Sequence, residues 1–234
     1  WEPFLPFWEK RGKTVLFDQA RFDQGVKSTI YKNAPAGLMF PGDSGFPETK
    51  KSSNNHWLNF APRVGLALDP SGNGRMTLRA SYGVLYDFPH FYQYAGMKEM
   101  APWANRVEIP NPPGGFDDPW QGYPGGNPFP ITPGPDTVFP AAAVYVVVPR
   151  EIKTPYAQQW SLSLQRQIGT DWLIAANYLG SNVTHFWDET EGNPSVYLPA
   201  ASCVIGGQTF NPCSTVGNTN QRRQLYLKNP AEGK

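Results

Sequence analysis

Three observations predict an all-β chain. Side chains alternate with a period of two in two separate stretches, long Pro- and Gly-rich stretches lie between them, and each stretch is folded back at a short turn. The fold expected is a section of an antiparallel transmembrane β-barrel, an open curved sheet in isolation, with long irregular extracellular loops. Barrels of this kind put short turns at one end of the wall and long loops at the other.

The first alternating unit runs from Arg63 to Asp87. Successive side chains point to opposite faces of a strand. Val64, Leu66 and Leu68 therefore share one face, and Arg63, Gly65, Ala67 and Asp69 share the other. Ser71-Gly72-Asn73-Gly74, just after Pro70, is turn chemistry. Beyond it Met76, Leu78, Ala80, Tyr82, Val84 and Tyr86 are in phase, and Thr77, Arg79, Ser81 and Gly83 oppose them, with Leu85 the exception.

A second unit follows. Trp160, Leu162 and Leu164 oppose Gln159, Ser161, Ser163 and Gln165. After Gly169-Thr170-Asp171, the residues Trp172, Ile174, Ala176 and Tyr178 are in phase against Asn177 and Ser181. Trp160, Leu164 and Ile168 also fit a helical face, so that segment alone is open to either period. Strand pairs are placed at about 58–87 and 157–183, and long loops at about 9–56, 88–155 and 184–223. Short strands are expected at Val15-Leu16-Phe17 and from Leu225-Tyr226-Leu227, and a short strand or pinned loop at 141–148. The second loop holds 13 of the chain's 25 prolines between Pro102 and Pro155, which leaves it few backbone donors and little helix potential.

Composition agrees with this picture. Only 40% of residues are hydrophobic and 17% charged, and 14% are aromatic. No apolar run is long enough for a transmembrane helix, but a transmembrane strand needs only ~9–11 residues and is polar at every second position. A net charge of +1 without a basic stripe argues against nucleic acid as a partner. The chain opens on Trp1-Glu2-Pro3 with no signal peptide, and an excised piece is the expectation. Cys203 and Cys213, ten apart in a Gly/Asn/Thr-rich stretch, read as a loop disulfide in an oxidising compartment; two unrelated thiols are the other possibility.

Aromatic positions fit a wall with two girdles. Tyr82, Tyr86, Trp160 and Tyr178 are expected toward the outer end and Trp172 toward the inner end. A soluble sandwich also hides one face of each strand, so a secreted β-domain that binds carbohydrate through aromatic loops stands as the alternative.

The residues that follow resemble a known family. Asn59-Phe60-Ala61-Pro62-Arg63-Val64-Gly65-Leu66-Ala67, Asp69-Pro70 and Gly72-Asn73-Gly74 are similar to the barrel region of Oar-like TonB-dependent receptors. These outer-membrane proteins often carry a carboxypeptidase-regulatory-like domain before the plug. Leu78 to Asp87, Thr154 to Gln167, Asn177-Tyr178-Leu179-Gly180-Ser181, Thr184-His185, Asn220-Gln221-Arg222-Arg223 and Asn229-Pro230 continue the likeness. The resemblance implies a bacterial outer-membrane location and a barrel of about 22 strands filled by a plug. It also implies import driven by the TonB energy-coupling system through a region absent here. The expected partners are outer-membrane lipid, the remainder of the barrel, the plug domain and a substrate of unknown identity.

No catalytic motif, metal set or cofactor motif is found, and no enzymatic activity is expected. His56, His90 and His185 are far apart in loop sequence. Asp117-Asp118 and Asp188-Glu189-Thr190-Glu191 read as solvated loop charge. The Gly-Gly pairs lack the strand, lysine and helix of a phosphate loop. Ligand contact is assigned to Trp103, Phe116, Trp120 and Tyr123 of the second loop, with local pinning as the competing role. Arg63, Arg79, Gln159 and Gln165 are expected to face the barrel lumen, in contact with a plug or as lumen polarity.

Overall fold

The computed structural model describes residues 1–7, 9–88, 91–104, 112–123, 125–140 and 143–233. His90 and the first two residues of the 141–148 island lie outside the described residues. The chain divides into a strand unit (Trp1–Pro6, Ser53–His90, Glu151–Glu189) and a loop unit (Phe7–Ser52, Phe91–Arg150, Thr190–Lys234).

In chain order the strands are β1 (Leu16–Phe17), β2 (Leu38–Met39), β3 (Arg63–Leu68), β4 (Met76–Tyr86), β5 (Tyr156–Ile168), β6 (Trp172–Thr184), β7 (Cys203–Ile205) and β8 (Gln208–Phe210). The helices are α1 (Gln19–Asp23), α2 (Phe91–Ala95) and α3 (Gln224–Lys228), with 3-10 turns between some of them. The strand unit is a four-stranded antiparallel sheet in the order β3-β4-β5-β6. Neither edge strand has an outer partner among the described residues, so the sheet is open. The 157–168 segment is strand, not helix.

Register explains why the two alternating units make one surface. Directly opposed residues share a face, and the ladder aligns Val64, Tyr82, Trp160 and Gly180 in one row. Leu66, Ala80, Leu162 and Tyr178 form the next row, then Leu68, Leu78, Leu164 and Ala176. A slip by one residue in either hairpin would turn its apolar set to the other side. The turn after β3 is closed by Asp69, whose carboxylate accepts from the backbone N–H groups of Ser71, Gly72 and Gly74. Gly72 and Gly74 have φ of +65° and +74°, which a side chain at either position would strain. A second fixture lies at the opposite end of the strands. Phe4 pairs with His56, is 1% exposed and meets the Trp187 ring edge-on at 6.0 Å. The Glu2 carboxylate accepts from the Tyr86 N–H at 3.1 Å and lies 3.6 Å from the Arg63 guanidinium.

The loop unit departs from the irregular loops expected from its sequence. Val15, Ala34, Leu38, Phe40, Tyr94, Met97 and Met100 form a buried core, with Phe17, Tyr31, Trp103, Phe139, Tyr145, Val147 and Val148 packed on it. β1 pairs with β2, and α1 is capped by Asp18, whose side chain accepts from the Arg21 N–H. The described part of the 141–148 island is a pinned loop, not a strand. The strand expected at Leu225-Tyr226-Leu227 is instead α3. Leu227 N–H donates to the Arg223 carbonyl and Asn229 N–H to the Leu225 carbonyl, while the first-turn N–H groups of Gln224 and Leu225 donate to the Pro194 carbonyl and to Asn193 Oδ1. Beyond the single bridge of Arg223 to Ser195, no strand among the described residues lies alongside to reward extension, so an i to i−4 turn satisfies the rest of the backbone.

Candidate functional site

The sheet has two functional faces. On the apolar face, Leu66 is 51% exposed, Leu162 48% and Ile174 55%, and no second sheet covers them among the described residues. Gln158 and Asn182 stand opposite each other toward the outer end of this face, and Arg166 stands toward the short turns. Trp160, Leu162 and Leu164 lie between. The stretch from Gln158 to Arg166 is about 27 Å long at ~3.4 Å per residue, or about 20 Å of depth after a ~40° tilt. That suits an apolar band of about 25 Å whose polar ends reach the interfaces. At the outer border the Tyr82 hydroxyl donates to Gln158 Oε1 at 2.9 Å, which satisfies an amide on the lipid side.

The aromatic residues are not equally placed. Tyr86 and Trp172 end their strands, and Tyr82 faces Trp160 in the outer part of the sheet. The Trp160 indole covers Gly180, its neighbour on β6, so closely that a Cβ there would collide with it. Tyr178 differs from its expected place toward the outer end, because it is the middle residue of β6. The strand simply continues to Thr184. Tyr156, missed in the sequence, sits with Tyr86 at 5.8 Å on the outermost row. Its parity with Trp160 could have found it.

The opposite face carries Arg63, Arg79, Gln159 and Gln165 together. Arg63, Gly83, Gln159 and Ser181 share one row, and Ala67, Arg79, Ser163 and Asn177 share another. Ser81 and Ser161 exchange a hydroxyl bond at 2.7 Å, and Ser163 donates to Asn177 at 2.6 Å. This polarity thins at β6, where Asn177 and Ser181 continue it. Leu173, Ala175, Leu179 and Val183 occupy the same face, and Leu179 is 77% exposed. β6 is therefore apolar on both faces over much of its length. The signal was in the sequence, in the failure of strict alternation from Trp172 to Val183.

Of the four loop aromatics, the structure brings Trp120 and Tyr123 together and leaves Trp103 and Phe116 apart from them. Trp103 packs on the loop core, edge-on to Phe40 at 5.8 Å. Trp120 meets Tyr123 at 5.3 Å and Phe129 at 5.9 Å. Phe116 is wholly exposed. Cys203 and Cys213 are joined by a disulfide that spans the β7–β8 hairpin.

Two buried polar groups organise the loop unit and were not foreseen. Asp43 accepts from the Phe40 N–H, the Ser28 hydroxyl, and both the N–H and hydroxyl of Thr29. Burial pushes its pKa up, but these four donors outweigh burial and hold it below the ordinary carboxylate value. Arg222 is 7% exposed and donates to Asn218 Oδ1 and to the carbonyls of Val196 and Thr215. Asn218 in turn donates to the Cys213 carbonyl at 2.7 Å. Burial alone raises the Tyr145 phenol far above its usual range.

No group of three metal-ligating side chains occurs among the described residues, and no described helix is long and apolar enough to cross a membrane. What the sheet defines is a piece of a transmembrane β-barrel wall: uncovered and apolar on one side, mainly polar on the other, with short turns at one end. The chain belongs to the outer membrane beta barrel domain family, whose model matches residues 1–231. It is a protein of the bacterial outer membrane, in contact with membrane lipid. The soluble secreted alternative is thereby set aside, since it needs a second sheet over Leu66 and Leu162. No curated protein and no solved structure matches the chain.

Proposed function

We propose that the chain forms part of an Oar-like, TonB-dependent receptor that binds and imports a substrate through a plugged barrel. The observation that supports this most directly is β6. A strand that is apolar on both faces suits burial on both faces. Lipid accounts for Trp172, Ile174 and Tyr178. Water in an open pore would not account for Leu173, Leu179 and Val183 on the inward side. A folded body inside the barrel would. The row of Arg79, Ser163 and Asn177 supplies a polar lining beside it.

Connectivity supports the receptor role. Each long segment leaves the sheet at strand ends opposite the two short turns, which is the external side in barrels of this class. The role is capture and passage, with no catalytic step and no cofactor.

Conductance tests the reading. The full-length protein in planar bilayers is expected to pass no steady ion current, because the lumen is filled. Stable ohmic steps from the native protein would favour an open pore and sink the proposal. A cysteine at Leu179 in otherwise native protein should resist a water-soluble maleimide for the same reason.

A further inference from the structure

The turn formed by residues 112–123 and 125–129 differs from the rest of the loop unit. Among the described residues its backbone bonds close on themselves, from Gly115 N–H to the Pro112 carbonyl, Asp118 to Gly114, Gln121 to Asp118, Tyr123 to Trp120 and Gly126 to Tyr123. The Phe129 N–H is held by the Asn127 side chain. The shape is thus set locally, and Trp120, Tyr123 and Phe129 brace it from within as a ring cluster. Gly114 and Asp118 pair across a tip whose apex is Phe116.

That apex ring touches nothing: its exposure is 102%, the largest of any large hydrophobic residue described. A ring that only pinned the loop would be covered, as Trp103 and Phe139 are. Asp117 and Asp118 beside it are exposed, and neither carboxylate has a hydrogen bond or ion pair among the described residues. An apolar ring face next to planar bidentate acceptors is complementary to a sugar. The axial C–H bonds of a pyranose present an apolar face to an aromatic ring, and adjacent hydroxyls donate in pairs to a carboxylate. A lipid tail would use the ring but leave the two carboxylates desolvated without donors.

We propose that this turn is a capture site for an oligosaccharide. Phe116 stacks on one pyranose ring, Asp117 and Asp118 accept from its vicinal hydroxyls, and the Trp120–Tyr123–Phe129 cluster holds the tip in shape. The proposal deepens the receptor reading, and rests on it for placing the turn outside the cell.

The test uses the full-length protein in detergent, titrated separately with cellohexaose, maltohexaose, xylohexaose and mannohexaose by calorimetry. At least one is expected to bind. Phe116→Ala should weaken that binding by roughly tenfold, equivalent to about 1.4 kcal/mol. A wholly exposed ring holds nothing together, so this loss would not be one of folding. Asp117→Asn with Asp118→Asn should weaken it further, and Trp120→Ala should weaken it by loosening the tip. Binding by none of the four, or binding unchanged in Phe116→Ala, overturns the proposal. So does tighter binding of a casein hydrolysate than of any sugar. These measurements need neither energy coupling nor a plug, so a conducting pore would refute the receptor reading while leaving the sugar site standing.

Discussion

The strand unit leaves the apolar face of its sheet uncovered, and the loop unit gathers apolar residues into a core. Leu66, Leu162 and Ile174 are about half exposed, while Phe40 and Val15 are completely covered. The same side chains obey opposite rules because the two units meet different surroundings. A wall in lipid needs no internal core, because hydrocarbon takes the place of one and the backbone is satisfied along the ladder. A unit outside the bilayer must build its own core, and this one does so with aromatics and methionines from segments far apart in the chain.

Reversing the solvent on the strand unit gives the largest expected effect. Arginine at both Leu66 and Leu78 puts two charges on the lipid face, at a cost of roughly 2–4 kcal/mol each near mid-depth. Outer-membrane assembly of the full-length protein should fail, read as loss of the folded, heat-modifiable band on gels. Normal assembly of that double variant would mean the apolar face does not meet lipid. The matching change in the loop unit is Phe40→Ala, expected to cost about 3–5 kcal/mol. Its signature should be different: the barrel still assembles, but added protease cuts within residues 7–52 or 91–150. Equal loss of assembly in both variants would show that the units do not fold by separate rules.

That contrast also explains what could be read from sequence. The sheet was legible because one period recurs in four strands and two short turns fix the register. The shared row of Arg63 and Gln159 follows from parity alone. The loop core was not legible, because Phe40, Tyr94 and Met100 share no period and meet only through tertiary packing. Helix α3 was not legible as a helix, because Leu225, Tyr226 and Leu227 suit either state and its first turn is held by Asn193 and Pro194, far away in the chain. The placement of Phe116 at an apex, against the covered Trp103, needed the turn geometry.

The buried Arg222 offers a middle-sized test within the loop unit. Among the described residues its guanidinium has no carboxylate partner, only Asn218 and two backbone carbonyls. Asn218→Ala would remove one acceptor and also free the Cys213 carbonyl. Hydrogen bonds to charged groups are worth about 1.5–3 kcal/mol each. Faster proteolysis around residues 190–222 is expected, with the β5–β6 hairpin unaffected. Unchanged digestion would mean that the disulfide alone holds this segment.

The smallest effect is a pH response that should separate the two units without any substitution. Asp43 is held below its ordinary pKa by four donors, so it binds its proton less readily folded than unfolded. Its contribution is complete above the unfolded value of about 3.9, and is lost as pH falls through the lower folded value. β4 and β5 contain no Asp or Glu, so their amides provide an internal reference. Below about pH 4, the Phe40 and Thr29 amides, which donate to Asp43, should lose hydrogen-exchange protection relative to the β4–β5 ladder after correction for the intrinsic rate. Asp43→Asn should abolish the pH dependence of that difference. If instead both sets of amides lose protection together, the loop core draws its acid sensitivity from somewhere other than this carboxylate.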